Sequence, residues 1–162
     1  FAFSNLAIIY DADGKPYDAV SAYRKSLELD DHQPKIWLNL GDTYARIGRM
    51  KQALSAFQFA AREDPKWPDP WVHTGSCRFR MKQWDEALAA YTKAIEIDEN
   101  CARAHRGLGV VYMSRYVVDH SLTDMRDKAL DSWNRSLELD SSQQDLVRLV
   151  RKYTPTYDVP KL

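Results

Sequence analysis

The sequence has no net charge: 23 lysines and arginines balance 23 aspartates and glutamates. Without a basic surplus, nothing draws the chain as a whole toward nucleic acid or an anionic membrane. No run of about 18 apolar residues occurs, so no segment reads as a membrane-spanning helix. Cysteines are scarce. Cys77 and Cys101 are too few for a disulfide framework or a zinc knuckle, and they say little about redox compartment. There is no Gly-rich phosphate loop and no G-x-S-x-G turn. An initiator Met is missing too, and the chain opens inside a helical pattern at Phe1-Ala2-Phe3. That start is expected of a fragment or a processed product, and it leaves room for an upstream signal or anchor. The compartment is not written in the residues; a soluble, cytoplasmic setting is the default expectation.

What is present is enough apolar matter to bury a core, 44% of 162 residues, with 28% charged. It is distributed periodically. Between Pro34 and Trp67 the residues Trp37, Leu40, Gly41, Tyr44, Ala53, Phe57 and Pro65 follow the spacing W-x2-L-G-x2-Y, A-x3-F, P. Shifting by 34 residues reproduces it. Ala7, Gly41, Gly75 and Gly109 align as small residues, and Phe3, Trp37 and Trp71 as large ones. In the second half of each unit Ala19, Ala53 and Ala87 align, then Tyr23, Phe57 and Tyr91, then Ser26, Ala60 and Ala94. The third unit departs at two signature positions, with Thr74 for Leu and Arg78 for Tyr. The pattern predicts paired antiparallel helices, with small residues where backbones approach and aromatics filling the gaps. One such pair cannot bury its own apolar face, so the pairs must stack.

Turn chemistry places the helices near 2–12, 16–29, 34–47, 50–62, 69–81 and 84–97. Gly14 and Gly48 suit helix-ending positions, Pro16 suits a first turn, and Asp69-Pro70 reads as N-cap then first helical residue. A fourth unit begins near Ala102 and keeps Leu108, Gly109 and Tyr112. Its second-helix pattern, Ala129, Trp133, Ser136, arrives eight residues late, which places an 8-residue insertion in 113–128. Helix, loop or both could hold the extra material. Ser141 or Ser142 is a candidate cap for one more helix near 142–153, with Leu146, Leu149 and Val150 as its apolar stripe. The tail 154–162, with two prolines, is expected to be extended, disordered or docked on a neighbour.

These residues resemble the tetratricopeptide repeat (TPR) family over essentially the whole chain. The resemblance implies an all-α fold: a right-handed superhelical solenoid of antiparallel helix pairs, about nine helices. The array would span 1–153, with units near 1–33, 34–67, 68–101 and 102–141 and a capping helix at 142–153. It also implies a non-enzymatic scaffold or adaptor, without cofactor, whose first helices line a concave groove that binds a peptide or helix of a partner protein. Two other roles stay open. One is a self-assembling solenoid joined through its ends or tail, favoured by the apolar Phe1, Phe3 and Ile9. The other is the regulatory arm of a larger enzyme.

On that geometry the groove residues are Lys35, Leu38, Asn39, Asp42 and Arg46, with Phe1, Ser4, Asn5 and Ile8 before them. After them come Asp69, Val72, His73, Ser76 and Arg80, then Arg103, Arg106, Gly107 and Val110. Asn5, Asn39 and His73 form one column, similar to the asparagine ladder in the TPR arm of O-GlcNAc transferases, which Gly107 interrupts. Amides offer donor and acceptor together and so suit a peptide backbone. Lys35, Arg46, Arg80, Arg103 and Arg106 outnumber Asp42 and Asp69, which points to an acidic ligand or a free carboxylate. The plainer alternative for both features is solvated surface polarity. The carboxylate clamp of TPR co-chaperones is not reproduced: Ser4, Ile8, Asn39, Asp69 and His73 stand in its positions, and only Asn39 matches.

His73 and Cys77 are four apart, which is metal-ligand spacing, but Cys77 falls at a buried register and no third ligand converges. The carboxylates Asp30, Asp31, Glu63, Asp64, Asp98, Glu99 and Asp140 mark helix ends, with no cleft to set their pKa values apart. No catalytic or metal site is expected.

Overall fold

The computed structural model describes residues 2–155. Phe1, read above as a groove residue, and positions 156–162 of the tail lie outside the described residues. Nine helices and no strand are found among those described. They are α1 (Ala2–Ala12), α2 (Pro16–Leu29), α3 (Pro34–Arg46), α4 (Met50–Glu63), α5 (Asp69–Arg80), α6 (Trp84–Ile97), α7 (Ala102–Val118), α8 (Thr123–Leu139) and α9 (Gln144–Tyr153). They fall into two compact units, Phe1–Glu99 and Asn100–Leu162.

In the first unit α1/α2, α3/α4 and α5/α6 form three hairpins, and α2 packs on α3 as α4 packs on α5. Each hairpin turns at the same register. Gly14, Gly48 and Lys82 all have positive φ, at 71°, 80° and 59°. Glycine takes this left-handed conformation without penalty, whereas Lys82 carries a Cβ there. Prolines sit in the first turns of α2, α3 and α5, where a missing N–H costs nothing. Asp69 is itself the first helical residue of α5 and Pro68 precedes it, one position off the sequence expectation.

The small-and-large columns meet face to face. A Cβ added at Gly41 would lie 2.4 Å from the ring of Phe57, and at Gly75 2.7 Å from that of Tyr91. Ala53, Phe57 and Ala60 of α4 are buried with Leu38 and Cys77, whereas Ala19, Tyr23 and Leu27 of α2 are buried with Ala7 and Leu40.

The second unit is one longer hairpin, α7/α8, and the single helix α9. Gly109 meets Trp133, with 2.2 Å from a virtual Cβ to the indole. The inserted residues are shared among all three candidate places. Both α7 and α8 have 17 residues, where α5 has 12 and α6 has 14. Relative to the third hairpin, α7 gains four residues at its end, α8 three at its start and the loop one. About one turn added to each helix keeps both buried stripes in phase. Leu146 of α9 is fully buried against Met113, Leu130 and Trp133. Its start is not capped by a serine, since Ser142 Oγ donates to Asp140 Oδ1 at 2.6 Å. Instead Gln143 Nε2 donates to the carbonyls of Ser136, at 3.2 Å, and Asp140, at 3.0 Å. Gln33 repeats the device at the end of α2, donating to Ser26 and Asp30 carbonyls. Each glutamine satisfies carbonyls that a helix end leaves without intrahelical partners.

Candidate functional site

In the first unit the first helices of the hairpins, α1, α3 and α5, are tied to one another by polar side chains. Asp11 is the residue that sequence reasoning missed. Its side chain, 19% exposed, reaches from α1 to α3, where it pairs with Arg46 and accepts from Thr43 Oγ1 at 2.8 Å. Tyr23 also donates to it at 3.3 Å. Burial and the Asp11 charge together push the Tyr23 hydroxyl well above its ordinary pKa, so it stays a donor. An opposite-charge pair spaced one repeat plus one residue was the available signal.

Between α3 and α5, His73 Nδ1 lies 2.6 Å from Asp42 Oδ1. The imidazole also rests on Phe57, with ring centres 5.5 Å apart. Arg80 repeats the register of Arg46 one unit later, but Ala45 replaces Asp11 there. Arg80 donates to the Ala45 carbonyl at 3.0 Å instead of to a carboxylate. Ser76 Oγ lies 3.1 Å from the Tyr91 hydroxyl.

Asn39, Asp42, Arg46, His73, Ser76 and Arg80 line one cavity of about 410 Å³ together with Asp11. Asn5 is exposed on α1 and Lys35 is exposed in the first turn of α3; neither lines that cavity. Leu38 and Val72, which the register also placed on this face, are buried. The cavity carries Asp11 and Asp42 against Arg46 and Arg80, so its charge is balanced rather than basic. Arg103 and Arg106 belong to the second unit, on α7. Arg106 is used internally there: it donates to Gln143 at 3.2 Å and to Asp145 at 2.5 Å, fastening α9 to α7. The same pair holds the Asp145 carboxyl below its usual range.

Burial pushes the Cys77 thiol up, away from the reactive thiolate. Among the described residues no group of three His, Cys, Asp or Glu side chains converges as metal ligands, and no helix is long and apolar enough to cross a membrane.

Antiparallel helix pairs, each closed by a glycine-on-aromatic contact that recurs with the 34-residue glycine spacing, define a helical-repeat protein. Family models agree: residues 5–68 match the one described as tetratricopeptide repeat, and residues 75–114 the one described as TPR repeat. The chain belongs to the tetratricopeptide repeat family, whose members are in general protein–protein interaction scaffolds and typically non-catalytic. No curated protein matches it in sequence. Solved structures share the fold at low identity. MamA is 22% identical with a TM-score of 0.71, over 91% of this chain and 89% of that one. A structure of the APC/C hetero-tetramer Cut9-Hcn1 is 19% identical with a TM-score of 0.76, over 94% of this chain and 29% of that one. The first TPR of Spaghetti (RPAP3), bound to the HSP90 peptide SRMEEVD, is 18% identical with a TM-score of 0.66, over 74% of this chain and 91% of that one.

Proposed function

We propose that this chain is a non-enzymatic adaptor whose first helices bind an extended peptide of a partner protein. On this reading the array carries repeat boundaries near 33, 67 and 101. The observation that carries the proposal is the single cavity formed by Asn39, Asp42, Arg46, His73, Ser76 and Arg80 across two successive repeats. Asn39 supplies a donor and an acceptor to a peptide backbone. Arg80, seated on a carbonyl rather than on a carboxylate, takes an acidic side chain or a C-terminal carboxylate. Arg46 is already neutralised by Asp11 and contributes less. The preference for acid therefore centres on Arg80, with Lys35 as an outlying cation. Panning a random peptide display library on the protein tests this. Enriched peptides should carry Asp or Glu and lose binding to an Asn39→Ala/Arg80→Glu variant. Equal retention by that variant rejects the groove.

Self-assembly is a second reading, favoured by one observation: α1 exposes Phe3, Leu6, Ile8 and Ile9. Light scattering across concentration separates the two, since a strict monomer at all concentrations removes self-assembly.

A further inference from the structure

The two signature departures of the third repeat, Thr74 and Arg78, share one place on the molecule. They line a trough between α4 and α5 of about 800 Å³. One repeat earlier the equivalent trough, between α2 and α3, measures about 350 Å³. Six lining positions of the two correspond at 34-residue spacing, while Gln52, Ser55 and Ala56 of α4 also line the smaller one. Leu27, Leu40 and Tyr44 line the smaller one; Ala61, Thr74 and Arg78 stand at the same registers in the larger one. At these registers the larger trough has Ala for Leu, Thr for Leu and Arg for Tyr. The charge changes as well. The smaller trough carries Arg24 against Glu28, whereas the larger one carries Lys51, Arg62 and Arg78, and no carboxylate is among its lining residues.

We infer that this trough is a second binding site, one that takes an acidic peptide segment bearing a large apolar side chain. It rests on the scaffold role proposed above but not on the groove. Thr74 and Arg78 leave α5 roughly opposite His73, Ser76 and Arg80, at about 100° per residue. The floor is apolar, made of Leu54, Phe57, Phe59 and Trp71, and suits an aromatic or aliphatic anchor. The rim is cationic. Arg78 donates once, to Gln83 at 2.8 Å, which leaves the rest of its guanidinium to meet a carboxylate. Glu63, 3.8 Å from Arg62, is engaged by His32 at 2.6 Å. The wall is pre-ordered: Phe59 stacks on Trp37 at 4.6 Å and Arg62 lies over the Phe59 ring at 4.7 Å. With Trp37 and Arg62 over it, Phe59 offers no free face on which a base could stack. The chain as a whole is neutral, so no overall positive charge adds to the attraction of a nucleic acid.

The test restores the repeat signature. Thr74→Leu/Arg78→Tyr writes into the third unit the residues that fill the same registers in the second, so the variant keeps its fold, as circular dichroism verifies. A fluorescein-labelled Glu-Glu-Phe-Glu-Glu-Leu peptide is titrated against the wild-type protein by anisotropy. Saturable binding that falls at least about tenfold in Thr74→Leu/Arg78→Tyr, that weakens with added salt, and that survives Arg80→Glu supports the site. The indole N–H resonance of Trp71, assigned with Trp71→Phe, should shift in the same titration. Absence of binding to the wild-type protein, equal binding by Thr74→Leu/Arg78→Tyr, or loss only in Arg80→Glu overturns it. Tighter binding of a single-stranded DNA dodecamer than of the peptide overturns it too. A failure of the groove reading alone would show as Arg80→Glu having no effect on the displayed peptides, with this titration unchanged.

Discussion

Replacing Gly41 by alanine adds a single methyl group to the contact that closes the α3/α4 hairpin. That Cβ would lie 2.4 Å from Phe57 Cε1, 2.6 Å from Cδ1 and 3.0 Å from Cζ. Favourable carbon contacts begin near about 3.5 Å, so the ring must retreat by roughly 1 Å. That retreat disturbs packed neighbours. Phe57 is 1% exposed and walled by Ala53, Ala60, Leu38 and Cys77. An approach below 3.0 Å belongs to the upper part of the overpacking range, about 2–3 kcal/mol. Alanine's better helix propensity returns about 1 kcal/mol. The net loss, about 1–2 kcal/mol, should lower the melting temperature by about 2–8 °C in a chain of this size. Thermal melts at one scan rate, followed by circular dichroism at 222 nm, read it. The cause is isolated by adding Phe57→Leu, which makes room: the double variant should be less destabilised than the two singles summed, by about 1 kcal/mol. A Gly41→Ala protein as stable as the wild type, or strict additivity in the double variant, would refute the close-contact reasoning.

Three other outcomes follow from the same structure. Lys82→Gly should raise the melting temperature slightly, because relief of a left-handed residue, about 1–2 kcal/mol, exceeds glycine's entropic cost of about 0.5–1 kcal/mol; Gly48→Ala should lower it. Gln143→Ala removes bonds to Ser136, Asp140 and Arg106, and should destabilise the second unit by about 1–2 kcal/mol, read as faster amide exchange in α9. The His32 imidazole is raised above its ordinary value by the hydrogen bond to Glu63 and then by the Glu63 charge. A raised folded pKa means that this contribution is fully present below the unfolded value and fades as pH rises through the folded one. An NMR titration of His32 should show the upward shift, and Glu63→Gln should abolish most of it.

How much the sequence disclosed depended on which contacts repeat. Gly41 against Phe57 and Gly75 against Tyr91 were legible because the same pair recurs at a fixed period. The helix ends at Gly14 and Gly48 were legible because local backbone chemistry sets them. Asp11 was not. Its partners lie on another helix and its register holds Ala45 in the next unit, so no column displayed it. The charge surplus read for the groove shrank for the same reason, since Asp11 answers Arg46 and Asp145 answers Arg106 through packing. Six of the residues assigned to the groove, Asn39, Asp42, Arg46, His73, Ser76 and Arg80, nonetheless line one cavity. Thr74 and Arg78 looked like erosion of a signature; only the shape of the trough gives them a common place.

The long hairpin of the second unit has a consequence for how such a chain can change length. Its additional residues rise along one helix by about a turn, cross the loop, and return along the other by nearly the same distance. An insertion of two or five residues would rotate Trp133 away from Gly109. One near seven or eight returns both stripes to phase. Length in a helical hairpin is therefore quantised, in steps of paired turns. The far end of α7/α8 is the position where this molecule can be extended, or a foreign segment displayed, without disturbing a single contact below it.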